Sequence, residues 1–378
     1  MKNFLKLIIN KINLKEIKKI YQYITWQKIF IAFLALFILL VFIRNSKIEG
    51  NVVRGKVLEV YDNIFSVGIL EGKYAKKKVS IKREDQNNNW EISPQKNDLI
   101  TVLQVEKDSQ ETTFYIQDFE HTRGLFAFLL LFLIIFALVA KKEGLRALFA
   151  LSLSFFAIFK ILLPAAYNAD FLILKTFIIA NAIAILSLLI LLKFSRKAFA
   201  SILGTFFGIT TATFTVILIS HFAKITGLAN EDIRMLLINS PQINVKGILF
   251  SGIILSALGA VMDTAVSIAS AINELSQSLD KNLSKLEKFK KLFTSGMNVG
   301  RDVLGSMINT LIFAFTGSAF AILVLFAGAH DLPLFEILNY EFVSSDIMMA
   351  LSGSFALTAT VPSTALAGAL LESYGFKK

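Results

Sequence analysis

The apolar residues of this chain are gathered in blocks that are long enough to cross a lipid bilayer. A hydrocarbon core of about 30 Å requires about 20 residues of helix. The blocks predict about eight transmembrane helices, with seven as the main alternative. These spans cover residues 29–43, 125–140, 145–163, 171–192, 199–221, 247–272, 303–328 and 347–371. The separation of the second span from the third depends on charged residues at 141–143, which would be costly without partners at the bilayer centre.

A different pattern occupies residues 47–120, where short apolar runs with partial alternation are separated by turn-forming stretches. These runs predict five β-strands, over residues 52–60, 64–70, 77–82, 99–106 and 113–118. Five short strands in so small a segment predict an OB-like or SH3-like β-barrel. The predicted fold is therefore a membrane all-α protein, a polytopic helical bundle with a small exported β-barrel between spans 1 and 2. Its parts are a basic segment and signal-anchor helix (1–46), a β-rich domain (47–120) and a seven-helix membrane domain (121–378).

The positive charge of the chain follows its predicted topology. The net charge is +11, while 55% of the residues are apolar and only 18% are charged. The connections at 1–28, 141–146, 193–197, 273–302 and 372–378 carry 21 Lys and Arg residues, against three in the connections at 164–170, 222–246 and 329–344. By the positive-inside rule, both termini are predicted to be cytoplasmic and residues 47–120 extracytoplasmic. The orientation of the chain in the lipid bilayer of the cell membrane thus explains the positive charge, and no nucleic-acid partner is needed.

The residue types present narrow the chemistry further. The chain has no cysteine, which excludes a disulfide framework, a thiolate metal site and a cysteine nucleophile. The sequence contains no nucleophile elbow, zinc-protease motif, P-loop or dinucleotide fingerprint. We therefore predict no catalytic residues, no metal site and no cofactor.

The sixth predicted span carries a polar stripe at helical spacing. Asp263, Ser267, Ser270 and Glu274 lie at positions i, i+4, i+7 and i+11, on one face of a helix. A charged side chain at membrane depth requires a reason and is by default a candidate functional site. We predict that Asp263 and Ser267 contribute to a substrate or ion site, with Asp263 as the coupling carboxylate.

The seventh predicted span carries a second stripe, of Asp302, Ser306, Asn309 and Thr310. The two stripes are expected to face each other in the cytoplasmic half of the bundle, with Asp302, Ser306 and Asn309 as further polar lining. A structural interpretation stays open, in which an Asp263–Arg301 pair holds the two helices in register.

Three further patterns concern packing. Gly204 with Gly208, and the Gly252, Ser256 and Ala260 ladder, predict close helix approach. Residues 275–293 predict a basic amphipathic helix at the membrane surface. Pro362 cannot donate a backbone hydrogen bond, so a kink or break is expected there, in a gating element or one that only packs.

Two runs, at 258–275 and 300–310, and the opening of the β domain at 53–57 are similar to the YibE/F-like family of bacterial multi-pass membrane proteins. This resemblance extends over most of the chain. It implies a membrane permease without an assigned substrate. It also implies a related membrane protein as a partner in a hetero-oligomer.

Two functions are therefore expected as alternatives. The first is a transporter or permease for an unknown small solute or ion, coupled to protons or ions through Asp263. The second is a non-transporting scaffold whose exported β domain binds a cell-envelope partner. A transporter requires a polar path to Asp263, whereas a scaffold is expected to have a closed, dry bundle and an exposed apolar patch on its β domain.

Overall fold

The computed structural model describes residues 51–61, 64–82, 93–106, 112–167, 171–229, 231–280, 282–328 and 333–374. The anchor helix predicted at 29–43 and both termini lie outside these residues. The chain divides into two compact units, residues 1–145 and 146–378. The first unit contains the β-sheet, and the second contains most of the long helices.

Five antiparallel strands form one sheet in the order β3-β2-β1-β4-β5. The strands are β1 (Val52–Tyr61), β2 (Ile64–Ile69), β3 (Lys78–Lys82), β4 (Leu99–Glu106) and β5 (Thr112–Phe119). Every boundary lies within one residue of its predicted position, because alternation along these strands is real. Val53, Gly55 and Val57 of β1 are buried, while the residues between them are only partly buried.

The sheet curls so that its two outer edges approach each other. Tyr74, which precedes β3, shares a hydrogen bond of 2.8 Å with the hydroxyl of Thr112 on β5. Its ring also lies edge-on to Phe114, with 5.4 Å between the ring centroids. The curl encloses an apolar core that includes Val57, Phe65, Val67, Ile81, Ile100, Val102 and Ile116.

The remaining elements are helices. They are α1 (Thr122–Ala157), a π-helical turn (Ile158–Leu162), α2 (Leu163–Tyr167), α3 (Leu172–Leu192), α4 (Arg196–Phe222), α5 (Glu231–Asn239), α6 (Val245–Ser278), α7 (Lys285–Ser318), α8 (Phe320–Gly328), α9 (Leu334–Asn339) and α10 (Glu341–Tyr374). Within the described residues, six helical stretches are long and apolar enough to cross a membrane, or seven if α7 and α8 count as one bent span. The helices are those of a multi-pass membrane protein.

The expected second and third spans are present as separate apolar stretches, but no helix end lies between them. Helix α1 continues through residues 141–144, although two apolar stretches, Thr122–Ala140 and Glu143–Tyr167, remain on either side. Lys and Glu are good helix formers, so a charged segment need not end a helix. Charge therefore marks where the apolar stretch ends, and the backbone continues beyond it.

The break expected at Pro362 is wrong, because α10 continues through this residue. Thr360, Val361 and Thr364 are buried around the proline and hold the helix, while Pro362 itself points outward. The break is found instead between α7 and α8, which meet at 65° around Ala319. The backbone N–H of Ala319 bonds to the carbonyl of Phe315 and ends α7 there.

Residues 275–293 do not form the single surface helix that was expected. Helix α6 ends at Ser278, and α7 begins after Ser284, which forms a capping box with Glu287. Leu275 and Phe289 pack into the same cluster as Ile272 and Leu292. Their apolar spacing therefore reflects packing inside the bundle.

The centre of the second unit is a close contact between α4 and α10. A Cβ added to Gly204 would overlap the side chain of Thr364, and one added to Gly208 would overlap Thr360. Val261 of α6 also closes on Gly208. The absence of side chains at these two glycines thus brings three helices together, as small residues do in membrane bundles.

Two carboxylates connect helix ends. Glu341, at the start of α10, accepts hydrogen bonds from the backbone N–H groups of Thr226 (2.8 Å), Gly227 and Leu228 (3.2 Å) in the loop after α4. At the opposite end of α10, Glu372 accepts hydrogen bonds from other helices. Its donors are Arg196 of α4 (3.2 Å) and Ser276 of α6 (3.1 Å).

We predict that Gly204→Ala lowers the thermal stability of the purified protein, because its Cβ would overlap Thr364 and force α4 and α10 apart. Overpacking of this kind costs about 1–3 kcal/mol. Gly124→Ala is the matched control, since nothing lies within 4 Å of an added Cβ there. Equal unfolding temperatures for the two variants would show that the α4–α10 contact does not limit stability.

Candidate functional site

Asp263 lies within the hydrocarbon depth of the bundle, about halfway between its middle and one end. Helix α3 has 21 residues, which makes it about 31 Å long, close to the thickness of one hydrocarbon core. Its central residues Ala180 and Ala184 pack with Ile254 and Leu258 of α6. Leu258 is therefore close to mid-depth, and Asp263 lies five residues beyond it, about 7.5 Å along the helix axis.

Asp263 faces away from the packed side of α6. Val261, Ala265 and Ile268 are fully buried, whereas Asp263 and Ser267 are exposed. The Ser267 hydroxyl donates to the backbone carbonyl of Asp263 at 2.8 Å, which is the usual local bond of a helical serine. Among the described residues, the Asp263 carboxylate forms no hydrogen bond or ion pair.

The polar stripe of α7 also faces outward. Asp302, Ser306 and Asn309 are exposed. The opposite side of α7 packs through Gly300, where an added Cβ would overlap Val361 of α10 and lie 3.1 Å from Ile268 of α6. The outward stripe is therefore the face that the neighbouring helices leave open.

Arg301 belongs to the same outward face. Its guanidinium donates to the side-chain oxygen of Asn298 at 3.4 Å. Asn298 was missed by the sequence analysis, although it precedes Asp302 by four residues and therefore continues the stripe by one helical turn. Among the described residues, Arg301 has no ion pair with a carboxylate.

The expectation that the two stripes face each other is not met in the second unit. Helices α6 and α7 meet through the Ile268–Gly300 and Ile272–Gly296 contacts, which lie on the other sides of both helices. The structure keeps Asp263 with Ser267, and Asp302 with Ser306 and Asn309, in two separate outward groups. The Asp263–Arg301 pair is not formed within the described chain.

Small residues accompany the outward groups. Gly252 and Gly259 share the open face of α6 with Asp263, and Gly305 shares that of α7 with Asp302. Nothing lies within 4 Å of a Cβ added at any of these three glycines. Within the described residues, Gly252 therefore brings no helix close, in contrast to Gly204 and Gly208, whereas Ala260 of the same ladder packs in the cluster of Val261 and Leu311.

Pro362 occupies an exposed position on α10, in line with Thr358 and Leu366. The Thr358 hydroxyl bonds back to the carbonyl of Ser354 at 2.8 Å. The proline therefore interrupts the backbone hydrogen bonds on the outer side of α10 only. The helix continues through Pro362, and its inner side is packed.

A comparison with known proteins identifies the membrane part of the chain. The profile of the YibE/F-like protein family matches residues 128–373. The chain belongs to the YibE/F-like family. Both polar stripes lie in the matched range, whereas the β-sheet lies outside it. No curated protein matches the YibE/F-like chain, and no solved structure matches it.

A water-filled path beside Asp263, as transport would require, predicts that Ser267 is accessible to water. A single cysteine at Ser267, in a chain that has no other cysteine, is expected to react with a water-soluble maleimide much faster than one at Thr264. Thr264 is a matched control because it lies one turn away on the same helix and is fully buried. Equal protection of both cysteines would contradict an aqueous environment beside Asp263.

Proposed function

We propose that this YibE/F-like chain is a membrane transporter that couples the movement of a small solute to ions or protons through Asp263. The observation that carries the proposal is the charged side chain on α6 within the hydrocarbon depth, without a partner in the described chain. Such a charge costs up to about 2.5–3.5 kcal/mol on insertion scales, the value at the helix centre, and residues of this kind mark ion and proton pathways in membrane proteins. A helix that serves only for packing gains nothing that offsets this cost.

In this proposal, each polar residue has a defined role. Asp263 binds the coupling ion or proton, and Ser267 keeps the helix surface beside it polar. Asp302, Ser306 and Asn309 provide further oxygen and amide groups along α7. No metal and no cofactor is required for these roles.

Two backbone features are candidates for the moving parts. Pro362 weakens the outer hydrogen bonds of α10, and the 65° bend at Ala319 separates α7 from α8. Transporters commonly place binding sites beside broken or weakened helices at mid-depth. Arg301 is the charged group through which a movement of α7 would alter the field at Asp263.

The solute path runs along the outer faces of α6 and α7. The interior around Gly204 and Gly208 is filled by threonine and valine side chains. The Thr360 and Thr364 hydroxyls bond to carbonyls of their own helix, each at 2.7 Å. A path through this interior would have to separate the helices at their closest contacts.

The proposed arrangement places the termini in the cytoplasm and the β domain outside the cell membrane. Alternate charge in the connections supports this orientation. The strand order of the sheet, with its outer edges close together, is that expected of an OB-type barrel. The OB assignment is therefore part of the proposal.

Proton flux in proteoliposomes under an imposed gradient tests the transport proposal, with pooled candidate solutes present. The wild type is expected to show flux that Asp263→Asn loses by at least tenfold, because the amide cannot be ionised. Asp280→Asn, which changes an exposed aspartate after α6, is expected to retain the wild-type flux.

All three proteins must unfold at the same temperature for this comparison. Flux that is equal in the wild type and in Asp263→Asn would remove the coupling role. If none of the three proteins shows flux above that of empty liposomes, the transport proposal fails and the scaffold function takes precedence.

The scaffold alternative is favoured by two observations. The interior of the second unit is closely packed, and apolar side chains are exposed at the β1–β2 hairpin. Val60, Tyr61 and Ile64 are 45%, 60% and 38% exposed there. An exposed apolar patch of this kind is typical of a protein-binding surface.

A photo-crosslinking amino acid at Tyr61, introduced in intact cells, tests the scaffold. The expected result is one discrete adduct that is missing when the same group replaces exposed Lys96 in the turn before β4. Identical adduct patterns at both positions would contradict a specific partner at the hairpin.

A further inference from the structure

We propose that the polar site is completed by a second copy of this chain, with Asp263 of one copy paired to Arg301 of the other. As a solute path, this site rests on the proposed transport function. As an interface, it rests on the geometry alone.

The polar faces of α6 and α7 are incomplete surfaces. Asp263 and Asp302 point outward from a bundle whose outer sides are largely apolar, as at Phe207, Phe214 and Phe313. Lipid cannot hydrogen-bond to carboxylates and amides, so polar membrane residues normally face protein or a water-filled cavity. The described helices of the second unit supply neither at these two faces.

Glycines lie on the same two faces. Gly204, Gly208, Gly296 and Gly300 each bring a neighbouring helix of the same chain into close contact. Among the residues that the structure describes, Gly252, Gly259 and Gly305 bring none, although they lie beside the outward acids. Small residues on a membrane helix allow a second helix to approach closely, so these positions provide room for helices from outside the chain.

The two opposite charges, on Asp263 and Arg301, lie at similar depths. Helices α6 and α7 are antiparallel and pack Ile268 against Gly300 and Ile272 against Gly296. This register places Arg301 level with Ser267, about 6 Å along the axis from Asp263. An extended arginine side chain covers such a distance.

A symmetric dimer would bring the two opposite charges together. A two-fold axis along the membrane normal keeps every residue of the second copy at the depth of the first. An isologous dimer then brings α7 of each copy against α6 of the other, so that Arg301 meets Asp263 twice. This sequence supplies both the base and the acid. A second copy therefore provides a partner for each charge, and a different chain is not needed.

Cysteine crosslinking between two differently tagged copies tests the contact. Ser267→Cys in one copy and Asp302→Cys in the other are level in the register above and are expected to form a disulfide-linked dimer upon oxidation. Phe199→Cys replaces Ser267→Cys in the control. Phe199 is close to level with Ser267, because the Ser201 hydroxyl lies 3.4 Å from the carbonyl of Ala265, and it is 49% exposed, but it lies on α4. We expect at least tenfold less dimer with this control.

Charge reversal tests the ion pair. Copies with Asp263→Arg bring two arginines together, and copies with Arg301→Asp bring two aspartates together, so each variant alone is expected to lose most of the crosslinked dimer. A mixture of the two variants restores both pairs, and the crosslink is expected to return to near the wild-type level. The recovery also shows that both variants fold.

Several results would overturn the inference. One is a Ser267 cysteine that forms no dimer but links to a second cysteine introduced within residues 29–43 of its own chain. Another is a link only to a related membrane protein, and a third is charge-reversed copies that do not recover upon mixing. Flux that depends on Asp263 without any crosslinked dimer would reject the interface and keep the transport function. A dimer with recovery but without flux would keep the interface and reject the transport function.

Discussion

The close approach of α4 to α10 at Gly204 and Gly208 is the constraint on which the second unit depends. Thr364 and Thr360 occupy the space that side chains at these glycines would fill, and Val261 of α6 closes the third side. Because backbones are nearly in contact there, the centre has no volume for a solvated charge. A carboxylate on α6 can then only point away from the centre, as Asp263 does.

The same constraint explains how polar atoms are treated inside the bundle. Thr360 and Thr364 bond to carbonyls one turn back on α10, and Ser201 of α4 reaches the carbonyl of Lys197 in the same way. These bonds satisfy hydroxyls without a partner helix. Charged groups that connect helices are placed at the ends of α10, where Glu341 and Glu372 have access to backbone or arginine donors.

Much of the fold could be predicted from the sequence, because strand alternation and apolar block length are local properties. The strands of the sheet were located to within one residue, and the apolar helices were recognised. The continuity of α1 could not be predicted, because the length of an apolar block does not show whether the helix continues into a charged segment. The continuity of α10 could not be predicted, because the packing around Pro362 is tertiary. For the site, periodicity correctly placed Asp263 and Ser267 on one face, but periodicity cannot tell where a face points. The expected meeting of the two stripes failed because Ile268 and Gly300 provide the better-packed contact.

The outward stripes change what the family relationship implies. The family match covers both stripes and excludes the β-sheet, so the polar faces belong to the part of the chain that defines the family. An acid within the hydrocarbon depth and a base within reach of it, both facing outward, are unfavourable in a monomer surrounded by lipid. They are favourable when a second surface of opposite charge covers them, because each charge then gains a partner in a medium where attraction is strong. In the proposed dimer, such a site would open and close by relative movement of whole subunits, and the packed centre around Gly204 would remain intact during the proposed transport.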